Sequence, residues 1–247
     1  MPVRVLLLLA MLAALCTVPA RAGQRIVVGA EDDWYPYSGK VNGDAHGMAE
    51  DIIQAAFSAV GVDVKFVSLP YARCIHMVRT GELAACFDTA RTRENEADFL
   101  WPAHPMFSSK ALIYARADSQ EHDLGPAALH GKRVAVTNGY EYGSDFDGDI
   151  TVIREVTNQT IYSFRMLELG RVQYVLAFEK VANYLLSANQ REFEGKFRVV
   201  GLSAQNDLYC VFSRKFPGAE AALDNFNRGF EMIQANGTYR TILTTWR

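Results

Sequence analysis

Residues 25–39 read RIVVGAEDDWYPYSG. The apolar run from Ile26 to Ala30 suits a buried strand. It passes at once into Glu31, Asp32 and Asp33, then Trp34, Tyr35, Pro36 and Tyr37. A core strand would not carry three adjacent acids, and an ordinary surface turn would not carry three aromatics. A loop that puts charge and rings together at the carboxyl end of a strand is suited to holding a ligand. In open α/β sheets, clefts form at those ends.

Working outward, strand and helix patterns alternate. Met48–Val60 places Ile52, Ile53, Ala56, Phe57 and Val60 on one helical stripe, with Gly61 at the stop. Val62–Leu69 alternates as a strand, Tyr71–Thr80 is a helix ended by Gly81, and Leu83–Asp88 is a third strand. This βαβαβ order implies a parallel sheet with right-handed crossovers. A second unit repeats the theme. Arg133–Thr137 is a strand, a helix is expected to start near Tyr142 or Gly143, and Ile150–Val156 is a strand. Thr160–Leu169 is a helix, Val172–Phe178 a strand, Lys180–Ala188 a helix and Phe197–Leu202 a strand. Extended runs at Ala111–Ala117 and Leu208–Ser213 join or flank the two units, and a third, Phe107–Tyr114, overlaps the first. The chain closes with an amphipathic helix, Ala219–Ala235, and a short last helix after Gly237.

The first residues, MPVRVLLLLAMLAALCTVPARAG, combine an early cation (Arg4), an apolar stretch from Val5 to Val18, and Ala20-Arg21-Ala22. That is the pattern of a secretory signal peptide, with cleavage expected after Ala22 and a periplasmic destination. Without Arg4 and Arg21 the balance is 23 Lys+Arg against 28 Asp+Glu, a net −5. An acidic export product without a basic run offers no electrostatic footprint for nucleic acid and no polybasic tether for a membrane. Three cysteines remain after cleavage: Cys74, Cys86 and Cys210. In an oxidising compartment Cys74 and Cys86, on a helix and the next strand, can pair. The alternative is three buried, reduced thiols.

No nucleophile elbow, phosphate loop or metal-binding histidine spacing is present, so neither a cofactor nor a metal is expected. The run Asp145–Asp149 (DFDGD) lacks an acid at the twelfth position of a calcium loop and reads as a turn. Two stretches carry more chemistry. Arg91-Thr92-Arg93-Glu94-Asn95 places two guanidiniums beyond the third strand, where a planar fork can hold a carboxylate; the alternative is a surface ion pair with Glu94 or Glu96. Asn138-Gly139-Tyr140-Glu141-Tyr142 follows the first strand of the second unit, and offers rings, hydroxyls and one acid.

Several segments together resemble one family. They are VVGAE…WYPY, Gly47–Ile53, the GEL unit at Gly81, ADFLWP ending at Pro102, and GKRVAVTNG from Gly131 to Gly139. LELGRV at Leu167–Val172, ANYL at Ala182–Leu185, and FNRGFEMIQANGTY at Phe226–Tyr239 complete the set. In this order they are similar to the family 3 extracellular solute-binding proteins, the periplasmic amino-acid receptors of ABC importers. The resemblance implies an α/β, two-lobed Venus-flytrap fold of type II with two hinge crossings. Its lobes would be residues 23–113 plus 206–247, and 114–205.

The resemblance also implies roles. Glu31 takes the place of the acid after the first strand, Trp34 that of the ligand-stacking aromatic, and Tyr37 closes the same loop. Tyr71 joins the candidate ligand-binding set. A ligand-carboxylate arginine falls on Arg91 or Arg93, depending on the end from which the shortened segment is counted. Tyr140, Glu141 and Tyr142 replace the family's usual Thr/Ser pair. The acid that holds an α-amino group falls on Phe178, with Glu179 beside it. These departures favour a ligand that is larger, more aromatic, or without the standard amino-acid head group. The implied function is capture of a small polar or zwitterionic solute by a monomer serving an ABC permease, without catalysis. Two alternatives share the fold: a cyclohexadienyl-dehydratase-like enzyme using Glu141 or Glu179 as general acid, and an accessory or sensory module without transport.

Overall fold

The computed structural model describes residues 25–246. The expected signal peptide lies outside the described residues. Twelve strands and eight α-helices are formed within them. β1 (Arg25–Glu31), β5 (Asp63–Leu69) and β6 (Ala85–Ala90) make a parallel group, with β1 in the middle. β9 (Arg133–Thr137), β10 (Ile153–Thr157) and β11 (Tyr174–Phe178) make a second parallel group, with β9 in the middle. The βαβ alternation in the sequence thus produced the expected parallel pairing in both halves.

Two long strands join the groups into one curled sheet. β8 (Phe107–Arg116) and β12 (Phe197–Ser213) run antiparallel from Phe107 opposite Leu208 to Arg116 opposite Phe197, with irregularities near Val200 and Ser203. β8 borders β11, and the last part of β12 borders β6. The sequence suggested two separate strands, Phe197–Leu202 and Leu208–Ser213. The polar run Gln205-Asn206-Asp207 does not break β12, because those residues pair in register with Lys110, Ser109 and Ser108. A ladder held by backbone hydrogen bonds needs no apolar side chains where it bridges two units.

Helix α1 (Met48–Ala59) buries Ile52, Ile53, Ala56 and Phe57 against the first group. Each of the two isoleucines and the phenylalanine contributes about 1.5–3 kcal/mol on leaving water. Helix α7 (Ala219–Ala235) crosses α1 closely: a Cβ placed on Gly229 would stand 1.9 Å from the Ala56 carbonyl oxygen. Only glycine permits that approach. Helix α2 (Tyr71–Thr80) ends at Gly81 in the left-handed conformation, and its C-cap N–H meets the Met77 and Val78 carbonyls.

In the second half, the helix expected near Tyr142 or Gly143 is only the short α3 (Ser144–Asp147). There the Asp147 carboxylate accepts from the N–H groups of Tyr142 and Gly143. The DFDGD run, expected as a turn, puts Asp145, Phe146 and Asp147 in this single helical turn and only Gly148 in a turn. Helices α4 (Thr160–Glu168), α5 (Glu179–Ala188) and α6 (Gln190–Phe193) follow, and α8 (Thr238–Thr245) ends the chain. Among the described residues, no helix is long and apolar enough to cross a membrane.

Cys74 of α2 and Cys86 of β6 form a disulfide, with their Cα atoms 6.1 Å apart. Cys210 is free and buried. The pairing joins a helix to its next strand, at a place already packed by Ile75, Val78 and Leu83.

Candidate functional site

The opening loop is more structured than a turn. Asp33–Trp34 (β2) pairs with Ser38–Gly39 of β3 (Ser38–Val41), and β3 pairs with β4 (Asp44–Ala45). The reversal passes through a cis Tyr35–Pro36 bond. This small meander extends from the end of β1 and turns its rings toward the second half of the molecule.

Trp34 is only 2% exposed. Its ring lies 4.5 Å from that of Tyr37 and 5.0 Å, edge-on, from that of Phe178 at the end of β11. Tyr37 stacks on Phe107 at 4.8 Å, and its hydroxyl shares a 3.2 Å hydrogen bond with Ser109. Tyr142 stacks on Phe178 at 5.8 Å, and its hydroxyl accepts from the Thr137 N–H at 2.9 Å. These rings connect the cores of the two halves, and edge-on or offset pairs of this kind add favourable energy beyond their burial.

Beside the rings, polar contacts cross between the halves. The Tyr140 hydroxyl donates to the Glu31 carboxylate through a short contact. The Tyr71 hydroxyl donates to the Glu141 carboxylate at 3.0 and 3.1 Å. Asn95 adds a longer contact to Glu141, and Asn206 donates to the Glu141 carbonyl at 3.0 Å. A cleft of about 400 Å³ opens next to these contacts. Glu31, Asp32, Asp33 and Tyr71 line it from one half, and Thr137, Asn138, Tyr140, Asn158 and Gln159 from the other.

Glu31, Asp33, Glu50 and Glu141 are held above the ordinary carboxyl range. Burial pushes Glu31 well up, against the opposing effect of the Tyr140 hydroxyl. Burial raises Asp33 to about 6 and Glu141 to about 8, while Tyr71 pulls Glu141 back. Glu50 of α1, under the loop, is raised to about 8 by burial. The Ser38 hydroxyl partly offsets the effect of burial: it lies 2.7 Å from both the Glu31 carbonyl oxygen and Glu50 Oε1, and its one hydrogen can serve only one of them at a time.

Asp88, absent from the sequence-derived candidates, is 5% exposed, and neither of its carboxylate oxygens has a hydrogen-bond partner in the protein. Burial and the charges of Glu50 and Glu31 raise it well above a usual carboxyl. It stands in the left-handed region at φ 63°, which aspartate tolerates better than most residues. Within the strand run ACFDTA, an acid at a core position was the available signal.

Of the expected residues, the structure brings together Glu31, Trp34, Tyr37, Tyr71, Tyr140, Glu141 and Tyr142. Glu31, Tyr71 and Tyr140 line the cleft, whereas Trp34, Tyr37 and Tyr142 form the wall behind it and Glu141 stands beside it on Tyr71. Arg91 and Arg93 are placed elsewhere, which corrects the expectation drawn from the RTREN segment. Arg91 pairs with Glu96 at 2.5 Å, and its guanidinium lies over the Trp101 ring at 5.4 Å. Both arginines line an outward groove with Arg214. The cause is the turn after β6: Asn95 bonds back to the Ala90 carbonyl and caps Thr92, so the two exposed arginines point outward. Glu179 begins α5 directly after Phe178 and is half-buried. Its neighbour Lys180 reaches the Trp246 carbonyl at 3.3 Å, at a second opening lined by Tyr35, His46 and Asp51. Among the described residues, no His/Cys/Asp/Glu group could hold a metal ion.

The model of the bacterial extracellular solute-binding proteins, family 3, matches residues 26–247. The chain belongs to this family. Membership implies an extracellular or periplasmic location and a solute-binding role. This family 3 chain is similar in structure to an ancestral arginine-binding protein bound to arginine. The TM-score is 0.76 at 21% identity, over 90% of this chain and 97% of that one. It is also similar to an arginine-, lysine- and histidine-binding protein of Geobacillus stearothermophilus, with a TM-score of 0.76 at 17% identity over 90% and 95% of the two chains. A histidine kinase sensor domain with similarity to periplasmic binding proteins gives a TM-score of 0.78 at 20% identity over 92% and 97%. At such identities the likeness bears on the fold alone, which is the two-lobed periplasmic-binding-protein fold. No curated protein matches the chain significantly.

Proposed function

We propose that this family 3 protein is the periplasmic receptor of an ABC importer and captures a small polar solute in the cleft beside Glu31 and Tyr140. The observation that carries the proposal is the pair of cross-cleft contacts, Tyr140 to Glu31 and Tyr71 to Glu141, at the edge of a 400 Å³ cavity. Polar groups from both halves meet there, so a ligand that binds both favours the closed arrangement by its differential affinity. The lobes are residues 23–113 plus 206–247, and 114–205, with β8 and β12 as hinge strands. Glu31, Tyr71, Tyr140 and Glu141 contact the solute. Trp34, Tyr37 and Tyr142 set the wall behind it, and Glu179 contributes charge nearby. The signal peptide is removed after Ala22, the mature protein is a monomer without a cofactor, and its second partner is an inner-membrane permease.

A thermal-shift series over amino acids, amines, organic acids and betaines tests the proposal. A solute at 100 times its Kd adds about 2.7 kcal/mol of stability. If no compound moves the midpoint, the receptor proposal fails.

A sensory role has support in the likeness to the histidine kinase sensor domain. In that case the same cleft binds the solute, but the closed form signals to a kinase rather than a permease. An enzymatic role has one supporting observation, Glu141, whose carboxyl is raised to about 8 and could act as a general acid at neutral pH. Release of phenylpyruvate from prephenate separates that role from binding.

A further inference from the structure

The cleft has an unbalanced charge. Glu31, Asp32 and Asp33 line one side, and the neutral groups of Thr137, Asn138 and Gln159 lie opposite; no Lys, Arg or His lines it among the described residues. A second carboxyl lies behind this wall: Asp88 sits in β6, which runs parallel to β1, and it is close enough to Glu31 for that charge to disfavour its ionised form. Asp88 is buried with both carboxylate oxygens unpartnered. A buried carboxyl without partners is held in its neutral form, and a cation or hydrogen-bond donors brought to it favour the ionised form. The protein supplies Glu31 with the Tyr140 hydroxyl and Asp88 with nothing. The guanidiniums that could have received a ligand carboxylate, Arg91 and Arg93, line the outward groove. Lys180 is engaged at the other opening.

We infer that the cleft selects organic cations that carry no carboxylate, namely alkyl amines or guanidines. Resting on the receptor proposal above, this names the substrate class of the same site. The ligand's cationic end takes the place of the Tyr140 hydroxyl on Glu31, and its charge favours the ionised form of Asp88 behind. The displaced Tyr140 and the adjacent Tyr71 offer ring faces to the cation. The amide side chains of Asn138 and Gln159 meet a polar, uncharged remainder. A ligand carboxylate would face Glu31, Asp32 and Asp33 with no cation to receive it.

The test is calorimetric titration of the secreted full-length product with matched pairs: agmatine against arginine and cadaverine against lysine, with glutamate and succinate alongside. The expected result is that at least one amine binds ten-fold or more tightly than its parent amino acid, and that the two acids do not bind. Glu31→Gln and Asp88→Asn each weaken the amine at least ten-fold. Asparagine keeps the left-handed backbone accessible at position 88, and a circular dichroism melt confirms that each variant is folded. The pair Arg91→Ala with Arg93→Ala leaves amine affinity within two-fold. Parent amino acids binding as tightly as the amines, acids binding, or loss of binding in the arginine pair would each overturn the inference and leave the receptor proposal standing. If no compound of any class binds, both fail.

Discussion

The Tyr71 hydroxyl sits 3.0 Å from one carboxylate oxygen of Glu141 and 3.1 Å from the other. The two residues are 70 positions apart and come from opposite sides of the cleft. If this contact holds the halves together, the pair is energetically coupled. Tyr71→Phe, Glu141→Gln and the double variant form a cycle whose coupling in thermal unfolding should be about 0.5–3 kcal/mol. In X-ray scattering, Tyr71→Phe should enlarge the ligand-free radius of gyration. Additive single effects with unchanged scattering would show that the contact does not restrain closure.

Glu50 sets a pH dependence. Its folded-state carboxyl is raised to about 8 from 4.5, so between those values the folded protein holds a proton that the unfolded chain has released. Stability is greatest below the unfolded value and falls as pH rises toward 8. Each carboxyl of this kind contributes a slope of up to about 1.4 kcal/mol per pH unit. Glu141, raised to about 8, acts in the same direction. Urea unfolding of the ligand-free protein at pH 5 and pH 7.5 should give higher stability at pH 5. Glu50→Gln, whose amide oxygen can still accept from Ser38, should flatten the difference. A protein equally stable at both values would contradict a raised Glu50 carboxyl.

Trp34 is expected to act mainly through packing. It is fully enclosed by Tyr37, Tyr140 and Phe178. Trp34→Ala should therefore destabilise by about 3–5 kcal/mol, as for other large core truncations. Trp34→Phe should recover much of that loss while ligand affinity stays near its original value. Affinity lost in the phenylalanine variant without loss of stability would instead make Trp34 a direct ligand contact.

The Cys74–Cys86 bond closes a short loop, with a sequence separation of 12. Replacing both residues by serine should lower stability by about 2–4 kcal/mol, as expected for a loop of this size. Under denaturing, non-reducing conditions a thiol titration should count one thiol, that of Cys210, in the mature protein. A count of three would show that the bridge does not form.

Much of the architecture was legible before any coordinates. Arg133–Thr137 and Ala219–Ala235 were delimited as observed, because strand alternation and helical stripes are local patterns bounded by glycines and polar turns. The opening loop was legible as a site element for the same reason, since acids and rings together are anomalous wherever they occur. The continuity of β12 was not legible. A polar run in a ladder has no apolar signature, and its partners on β8 lie about a hundred positions away in sequence, as Ser108 and Asp207 show. Asp88 was not legible either, because a single acid in an apolar strand is ambiguous until its surroundings are known.

The sequence alone therefore determined the family, the alternation of elements and the identity of the loop at the carboxyl end of β1, all of which depend on short-range patterns. The tertiary structure decided which of those residues face one another. Glu31 meets Tyr140 and Tyr71 meets Glu141, while Arg91 is drawn to Glu96 and Trp101 on the outer face. Residue type specifies what a side chain can bind. Only the turn after β6, closed by Asn95 on the Ala90 carbonyl, specifies which way those arginines point.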